Sequence, residues 1–109
     1  MADTAQIRET CREISARLEG RPAWPELRAV YLDMAPLVGQ LQGLVNDARR
    51  AHGGGVETLE SARALEQLKA QLRQVGLDMR LASEPALLMG LQMALESAAQ
   101  TLDRLERVH

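Results

Sequence analysis

The sequence predicts an all-α fold, a small antiparallel helical bundle of three long helices and a shorter N-terminal one. Apolar residues recur at steps of three and four through most of the chain, which is the spacing of one helix face. Aromatic residues make up only 2% of the chain, with no Phe. The core must therefore consist of Leu, Val, Ile, Met and Ala, whereas strands favour β-branched and aromatic residues. A chain of 109 residues allows one domain, so we expect residues 1–109 to form a single bundle.

The first helix is predicted over about residues 3–19. Its apolar residues repeat at steps of four, three and four, which puts them on one stripe: Ile7, Cys11, Ile14 and Leu18. Gly20 follows at the position where helices commonly end. Pro22 and Pro25 then predict an extended connection, because proline disfavours helix in the residue before it.

The second helix is predicted over residues 25–52, with Pro25 in its first turn. Its apolar stripe comprises Leu27, Val30, Met34, Leu37, Leu41, Leu44, Ala48 and Ala51. Pro36 lies inside this stripe, lacks a backbone N–H group and clashes with the carbonyl of Leu32, so we expect a kink there. The glycines of residues 53–55 end the helix.

The third and fourth helices are predicted over residues 56–81 and 84–108. The third carries Leu65, Leu68, Leu72, Val75 and Met79, and the fourth carries Leu88, Leu91, Leu95, Ala98, Leu102 and Leu105. Ser83 is the expected cap of the fourth helix, with Pro85 in its first turn. Because the connections are short, we expect neighbouring helices to run antiparallel with coiled-coil-like packing.

Charge and composition narrow the classes of function. Thirteen basic and fifteen acidic residues leave a net charge of −2, which argues against wholesale wrapping of nucleic acid. Lys69 is the only lysine, an arginine bias typical of a GC-rich, bacterial-like genome. The single Cys11 favours a reducing compartment. The first residues carry no secretory pattern, and the chain has no apolar stretch long enough to span a membrane. We therefore expect a cytoplasmic location.

The sequence offers no catalytic group and no metal site. His52 and His109 are the only histidines, and neither has a Glu or His at ligand spacing on an apolar stripe. Cys11 lies on the apolar stripe of the first helix, where a buried, unreactive thiol is expected. No glycine-rich phosphate loop follows a strand. We predict that the protein is not an enzyme and has no cofactor, while a hydrophobic ligand between the helices stays open.

The start of the fourth helix departs from the bundle pattern. Residues 86–95 are apolar almost all the way round, and a helix of that kind is normally buried on all sides. Either the first helix covers this surface, or it is an interface with another protein, and we favour the interface because methionines suit adaptable contact surfaces. The predicted interface residues are Leu77, Leu81, Leu87, Met89, Met93 and Trp24. For Trp24, the competing interpretation is a cap on one end of the bundle.

These residues predict a protein–protein interaction module, either a homo-oligomer or a small helical subunit or adaptor of a larger assembly. The alternative is a subunit of a nucleoprotein complex in which arginines contact phosphates. The candidate residues are Arg49, Arg50, Arg73 and Arg80, for which we favour ordinary surface salt bridges over contacts with phosphate. Whether the first helix packs on its own chain or on a second copy is left open.

Overall fold

The computed structural model describes residues 4–108, which form four α-helices and no strand. The helices are α1 (Thr4–Glu19), α2 (Trp24–His52), α3 (Val56–Asp78) and α4 (Glu84–Val108). They form a body of 42 × 23 × 18 Å. The predicted all-α helical bundle is confirmed. The predicted start of the first helix at Asp3, like His109, lies outside the described residues.

The second helix begins one residue earlier than predicted and continues through Pro36. Ala23 is extended, and Pro25 occupies the first turn, where its missing N–H group costs no helical hydrogen bond. At the other end the backbone of Gly53 has a φ of 71° and its N–H group donates to the carbonyl oxygen of Arg49 at 2.9 Å. Glycine tolerates this left-handed conformation, so the first glycine of the predicted turn ends α2.

The third helix ends at Asp78, three residues before the predicted boundary. The carbonyl oxygen of Asp78 accepts hydrogen bonds from the N–H groups of Leu81 (2.9 Å) and Ala82 (2.8 Å), which close a turn over residues 79–82. The hydroxyl oxygen of Ser83 then accepts a hydrogen bond from the N–H group of Ala86 at 3.4 Å. Ser83 thus lies at the start of α4, where the sequence predicts the cap.

The core runs the length of the bundle and receives one row of side chains from each helix. The row of α1 is the predicted one: Ile7, Cys11, Ile14 and Leu18. The row of α2 comprises Leu27, Val30, Met34, Leu37, Leu41, Val45 and Ala48, whereas Leu44 is half-buried and Ala51 exposed. The row of α3 comprises Thr58, Ser61, Ala64, Leu65, Leu68, Leu72 and Val75, with Met79 half-buried beyond its end.

The predicted stripe of α4 is wrong at Leu88 and Leu95. The buried residues of this helix are Leu87, Leu91, Ala94, Ser97, Ala98, Thr101, Leu102 and Leu105. The predicted core residues Leu88 and Leu95 are only half-buried and lie on the side of α4 that faces α1 and the connection after it. A helix that is apolar all round gives no contrast between faces, so neighbouring helices decide its rotation.

Small side chains bring α3 and α4 together, and this pair makes the most extensive contact in the bundle. The hydroxyls of Ser61 and Thr101 are buried and donate to the carbonyl oxygens of Thr58 (2.7 Å) and Ser97 (2.8 Å). Their polar atoms are thus satisfied within one helix turn. The hydroxyl of Ser97 reaches across to the amide oxygen of Gln71 at 2.7 Å and links the two helices.

Candidate functional site

Four large apolar side chains are exposed around the connection between α3 and α4. Leu77, in the last turn of α3, is 68% exposed, and Leu81, in the turn itself, is 90% exposed. Met89 and Met93, on the first turns of α4, are 63% and 48% exposed. We call these four residues the loop-end face. Exposed apolar side chains grouped in this way mark contact surfaces more often than scattered ones do.

Trp24 lies at the same end of the bundle and connects two parts of it. Its indole N–H group donates to the carbonyl oxygen of Met79 at 3.1 Å, which joins the first residue of α2 to the end of α3. The guanidinium of Arg28 lies 5.9 Å from the ring centroid, within the range of a cation–π contact. The side chain is nevertheless 38% exposed. Trp24 therefore has an intramolecular role as a cap and still presents part of its surface to solvent.

Leu87 does not belong to this surface, which corrects the predicted interface. Its side chain is 1% exposed and packs in the core. The rotation of α4 explains the error, because it turns Leu87 inward and leaves Leu88 half-buried. Of the six predicted interface residues, the structure places five at one end of the bundle with exposed surface.

The two methionines border separate depressions on either side of α4. Met93 lines a shallow groove of about 120 Å³ against α3, together with Gln74, Asp78 and Gly90 among others. Met89 lines a larger hollow of about 580 Å³ between the start of α4 and residues 21–23, the connection that follows α1. The outer side of α4 at this end is thus a ridge of two methionines with a depression on each flank.

Charged side chains of both signs surround the loop-end face. Arg80 and Glu84 flank the exposed Leu81, and both are exposed themselves. Arg21 and Glu84 both line the hollow beside Met89. A mixed rim around an apolar centre is the usual composition of a protein contact surface.

Sequence reasoning missed two other exposed apolar residues. They are Val56 and Leu59, in the first turn of α3, which are exposed at the opposite end of the bundle. The sequence pattern that predicts an exposed Leu77 also applies to Val56 and Leu59, because they too lie off the apolar stripe that contains Leu65. Of the eight large apolar side chains exposed among residues 4–108, five lie at the loop end when Trp24 is included.

The four candidate phosphate-binding arginines do not form one patch. Arg49 and Arg50 lie at the end of α2, beside the start of α3, and Arg50 pairs with Asp47 one turn earlier. Arg73 lies near the far end of α3 and Arg80 in the turn after it. Arg73 lies 17 positions after Val56, so about 26 Å of α3, at 1.5 Å per residue, separates the two pairs.

The helix α1 is held to its neighbours by two arginines as well as by its apolar row. The guanidinium of Arg8 contacts two carboxylates of α4, at 2.9 Å each, and that of Arg17 contacts two carboxylates of α2, at 2.6 and 2.7 Å. The partners are Asp103 and Glu106 for Arg8, and Glu26 and Asp33 for Arg17. Hydrogen bonds to these carboxylates raise the pKa of both guanidinium groups above its ordinary value, so both stay charged.

The described residues hold no cluster suited to a metal ion, and the one thiol is shielded. No three His, Cys, Asp or Glu side chains among residues 4–108 lie together as metal ligands would. Cys11 is 8% exposed, and burial raises the pKa of its thiol. It lies at the floor of a mainly apolar groove of about 390 Å³ between α1 and α4, which Leu18, Leu95 and Ala99 also line. A thiol with a raised pKa is a poor nucleophile.

No helix within residues 4–108 is both long enough and apolar enough to cross a membrane. Comparison of the chain with protein-family models, with curated proteins and with solved structures gives no match. The loop-end face and the attachment of α1 are therefore the two features of the structure that bear on function.

Proposed function

We propose that this protein is a non-catalytic protein–protein interaction module that associates through the loop-end face. The partner is either a second copy of the chain or a larger assembly in which this bundle is a small helical subunit or adaptor. The observation that carries the proposal is the exposure of Leu77, Leu81, Met89 and Met93 around one connection. Trp24 adds an exposed aromatic edge at the same end, and tryptophan is enriched at binding hot spots.

The lack of an exposed reactive side chain at this surface, among the described residues, supports a binding role. The Cys11 thiol is buried, and the loop-end face contains no acid, base or nucleophile. The ridge of Met89 and Met93 offers flexible thioether side chains that adapt to a partner's shape. A standard interface covers about 800 Å² on each partner, so the contact would extend from the ridge over both flanking depressions.

We also propose how the helices are oriented and where α2 bends. We infer that neighbouring helices run antiparallel with coiled-coil-like packing. The ion pairs of Arg104, late in α4, with Glu57 and Glu60, early in α3, support this at 3.6 and 2.9 Å. We also infer a bend of α2 at Pro36, because proline cannot donate the hydrogen bond to the carbonyl oxygen of Leu32.

The test is the oligomeric state of matched surface variants, measured by light scattering during gel filtration over a range of concentrations. We expect the wild-type chain to associate and the variants Leu81→Arg and Met93→Arg to remain monomeric. Leu81 is 90% exposed, so an arginine there is not expected to unfold the bundle. Gln100→Arg is the control, because it adds the same charge to an exposed position of α4 away from the loop-end face.

Three results would contradict parts of this proposal. A wild-type chain that is monomeric at every concentration rules out self-association and leaves docking to a different protein. Association that survives both arginine variants removes the loop-end face from the contact. A high absorbance ratio of 260 to 280 nm, with steep salt dependence, would favour the nucleoprotein alternative through Arg49, Arg50, Arg73 and Arg80. Circular dichroism of each variant checks that the helices are intact.

A further inference from the structure

Within residues 4–108, α1 packs on α2 and α4, and we call the surface that these two helices offer it the seat of α1. The apolar row of α1 enters the core, and Cys11 and Leu18 line one groove together with Leu95 and Ala99 of α4. The carboxylates that hold Arg8 come from the end of α4, and those that hold Arg17 come from the start of α2. Any α1 with this sequence fits the seat, whichever copy of the chain it belongs to.

The connection between α1 and α2, residues 20–23, contains the one residue of the described backbone that has a strained conformation. Arg21 has a φ of 49°, and among residues 4–108 it is the only residue other than glycine with a positive φ. Its N–H group donates to the carbonyl oxygen of Leu18 at 3.1 Å, which closes the chain tightly after α1. For an L-residue this conformation is disfavoured by about tenfold.

The residue after Arg21 makes its positive φ still less favourable. Pro22 biases the residue before it toward extended backbone, which is the conformation that Arg21 would adopt if the connection opened. An opened connection would carry α1 away from its own α2 and α4. Pro22 and Pro25 keep α1 and α2 from merging into one continuous helix, so the opened chain still presents α1 as a separate arm.

We propose that α1 exchanges between two copies of this chain, each copy seating its α1 on the α2 and α4 of the other. The closed monomer and the exchanged dimer contain the same seat contacts, so the conformation of the connection and the cost of association decide between them. Short connections under strain favour exchange, and two Arg21 residues relax in each dimer. The exchange uses no residue of the loop-end face, so it does not rest on the proposed function above.

The first test changes Arg21 in opposite directions. Arg21→Gly accepts the positive φ and should favour the monomer, whereas Arg21→Val opposes it and should favour the dimer. With two connections per dimer, we expect the dissociation constants of the two variants to differ by about a hundredfold. Sedimentation equilibrium on the intact chain measures this difference. Equal constants, or no dimer of Arg21→Val at the highest soluble concentration, would overturn the proposal.

The second test identifies which α1 occupies the seat. Ala99→Cys places a second thiol in the groove that Cys11 lines. Oxidation of the dimer fraction should give a disulfide between chains, seen as a covalent dimer on a non-reducing gel. The same variant with Cys11→Ser controls for non-specific cross-linking. A dimer fraction in which the new disulfide forms only within each chain means that α1 stays on its own chain, and the exchange is then wrong.

A third measurement separates this dimer from one formed by the loop-end face. Leu81→Arg in the Arg21→Val background should leave the exchanged dimer unchanged, because Leu81 is exposed in the turn between α3 and α4 and is not part of the seat. Loss of the dimer in this double variant would assign it to the loop-end face and contradict the exchange. The two proposals therefore fail separately.

Discussion

The indole N–H group of Trp24 donates to the backbone carbonyl oxygen of Met79 across 3.1 Å. The two residues are 55 positions apart in the sequence, so this one bond ties the first residue of α2 to the turn between α3 and α4. Met79 follows the last residue of α3, and its carbonyl has no partner in a following helical turn. A side chain from another helix thus satisfies a helix terminus at the end of the bundle that carries the loop-end face.

The first prediction concerns this bond. Trp24→Phe keeps an aromatic ring and removes the donor, so we expect the free energy of unfolding to fall by about 0.5–1.5 kcal/mol. Urea denaturation followed by circular dichroism measures this, because the variant has lost the only tryptophan. If the two chains are equally stable, the bond to Met79 contributes nothing and Trp24 is free to act in binding alone.

The second prediction tests the rotation of α4. Leu87→Ala removes a fully buried side chain, so we expect it to cost about 2–5 kcal/mol of unfolding free energy. Leu88→Ala is the matched control, since Leu88 is only half-buried and should cost clearly less. Denaturant midpoints of the two variants decide the matter. A larger loss for Leu88→Ala would restore the stripe that the sequence predicts.

The third prediction concerns helical glycines. A Cβ atom on Gly90 would lie 2.8 Å from Cγ2 of Val75, a buried and conformationally stiff side chain. We expect Gly90→Ala to lower stability by about 1–2 kcal/mol, because overpacking outweighs the gain in helix propensity.

Gly39→Ala is the control for this prediction, because a Cβ atom there meets nothing within 4 Å. We expect Gly39→Ala to raise stability by about 0.5–1 kcal/mol through the reduced entropy of the unfolded chain. Thermal unfolding of the pair should therefore give shifts of opposite sign. Shifts of the same sign would mean that α3 and α4 separate easily enough to admit the methyl group.

The fourth prediction concerns the attachment of α1. Arg8→Gln removes the guanidinium that contacts Asp103 and Glu106, so we expect a loss of about 0.5–1 kcal/mol at low salt that shrinks as salt screens the wild-type pairs. Arg12→Gln is the control, because Arg12 is well exposed and its ion pair is with Glu9 on its own helix. Hydrogen exchange of α1 amides reports the effect locally. Equal protection in both variants would show that Arg8 does not hold the helix.

The fifth prediction concerns pH. Burial raises the pKa of the folded Cys11 thiol from 9.0, the ordinary value, whereas the unfolded thiol ionises near that value. The stability from the neutral thiol is complete below the unfolded pKa and decreases as pH rises from there toward the folded pKa. The slope approaches about 1.4 kcal/mol per pH unit. Unfolding of wild type and Cys11→Ala from pH 7 to 11 should show this decrease in wild type only; parallel curves would contradict it.

Periodicity in the sequence was enough for the helices and for most of the core. The row of Ile7 and Ile14 in α1 is the predicted one, because polar residues surround it and only one face is apolar. The start of α4 offers no such contrast, so Leu87 and Leu88 exchanged roles between prediction and structure. The end of α3 was also placed too late, because its apolar pattern continues into a turn that the carbonyl oxygen of Asp78 closes.

The exposed apolar residues of the loop-end face could be predicted from the sequence, but the depressions beside them could not. Leu77 and Met93 were recognisable because they fall off the apolar stripes, and both are exposed. The hollow beside Met89 has no local signature, since residues 21–23 and the start of α4 form it together from distant parts of the chain.

The class of fold, the number of helices and most of the residues that each helix buries follow from local spacing and from the conformational limits of proline and glycine. Tertiary structure alone decided the rotation of α4, the bond between Trp24 and Met79 and the seat of α1. These depend on which helix faces which, and on packing between side chains that are far apart in the chain. The positive φ of Arg21 belongs to the second group, because Pro22 predicts extended backbone for the residue before it.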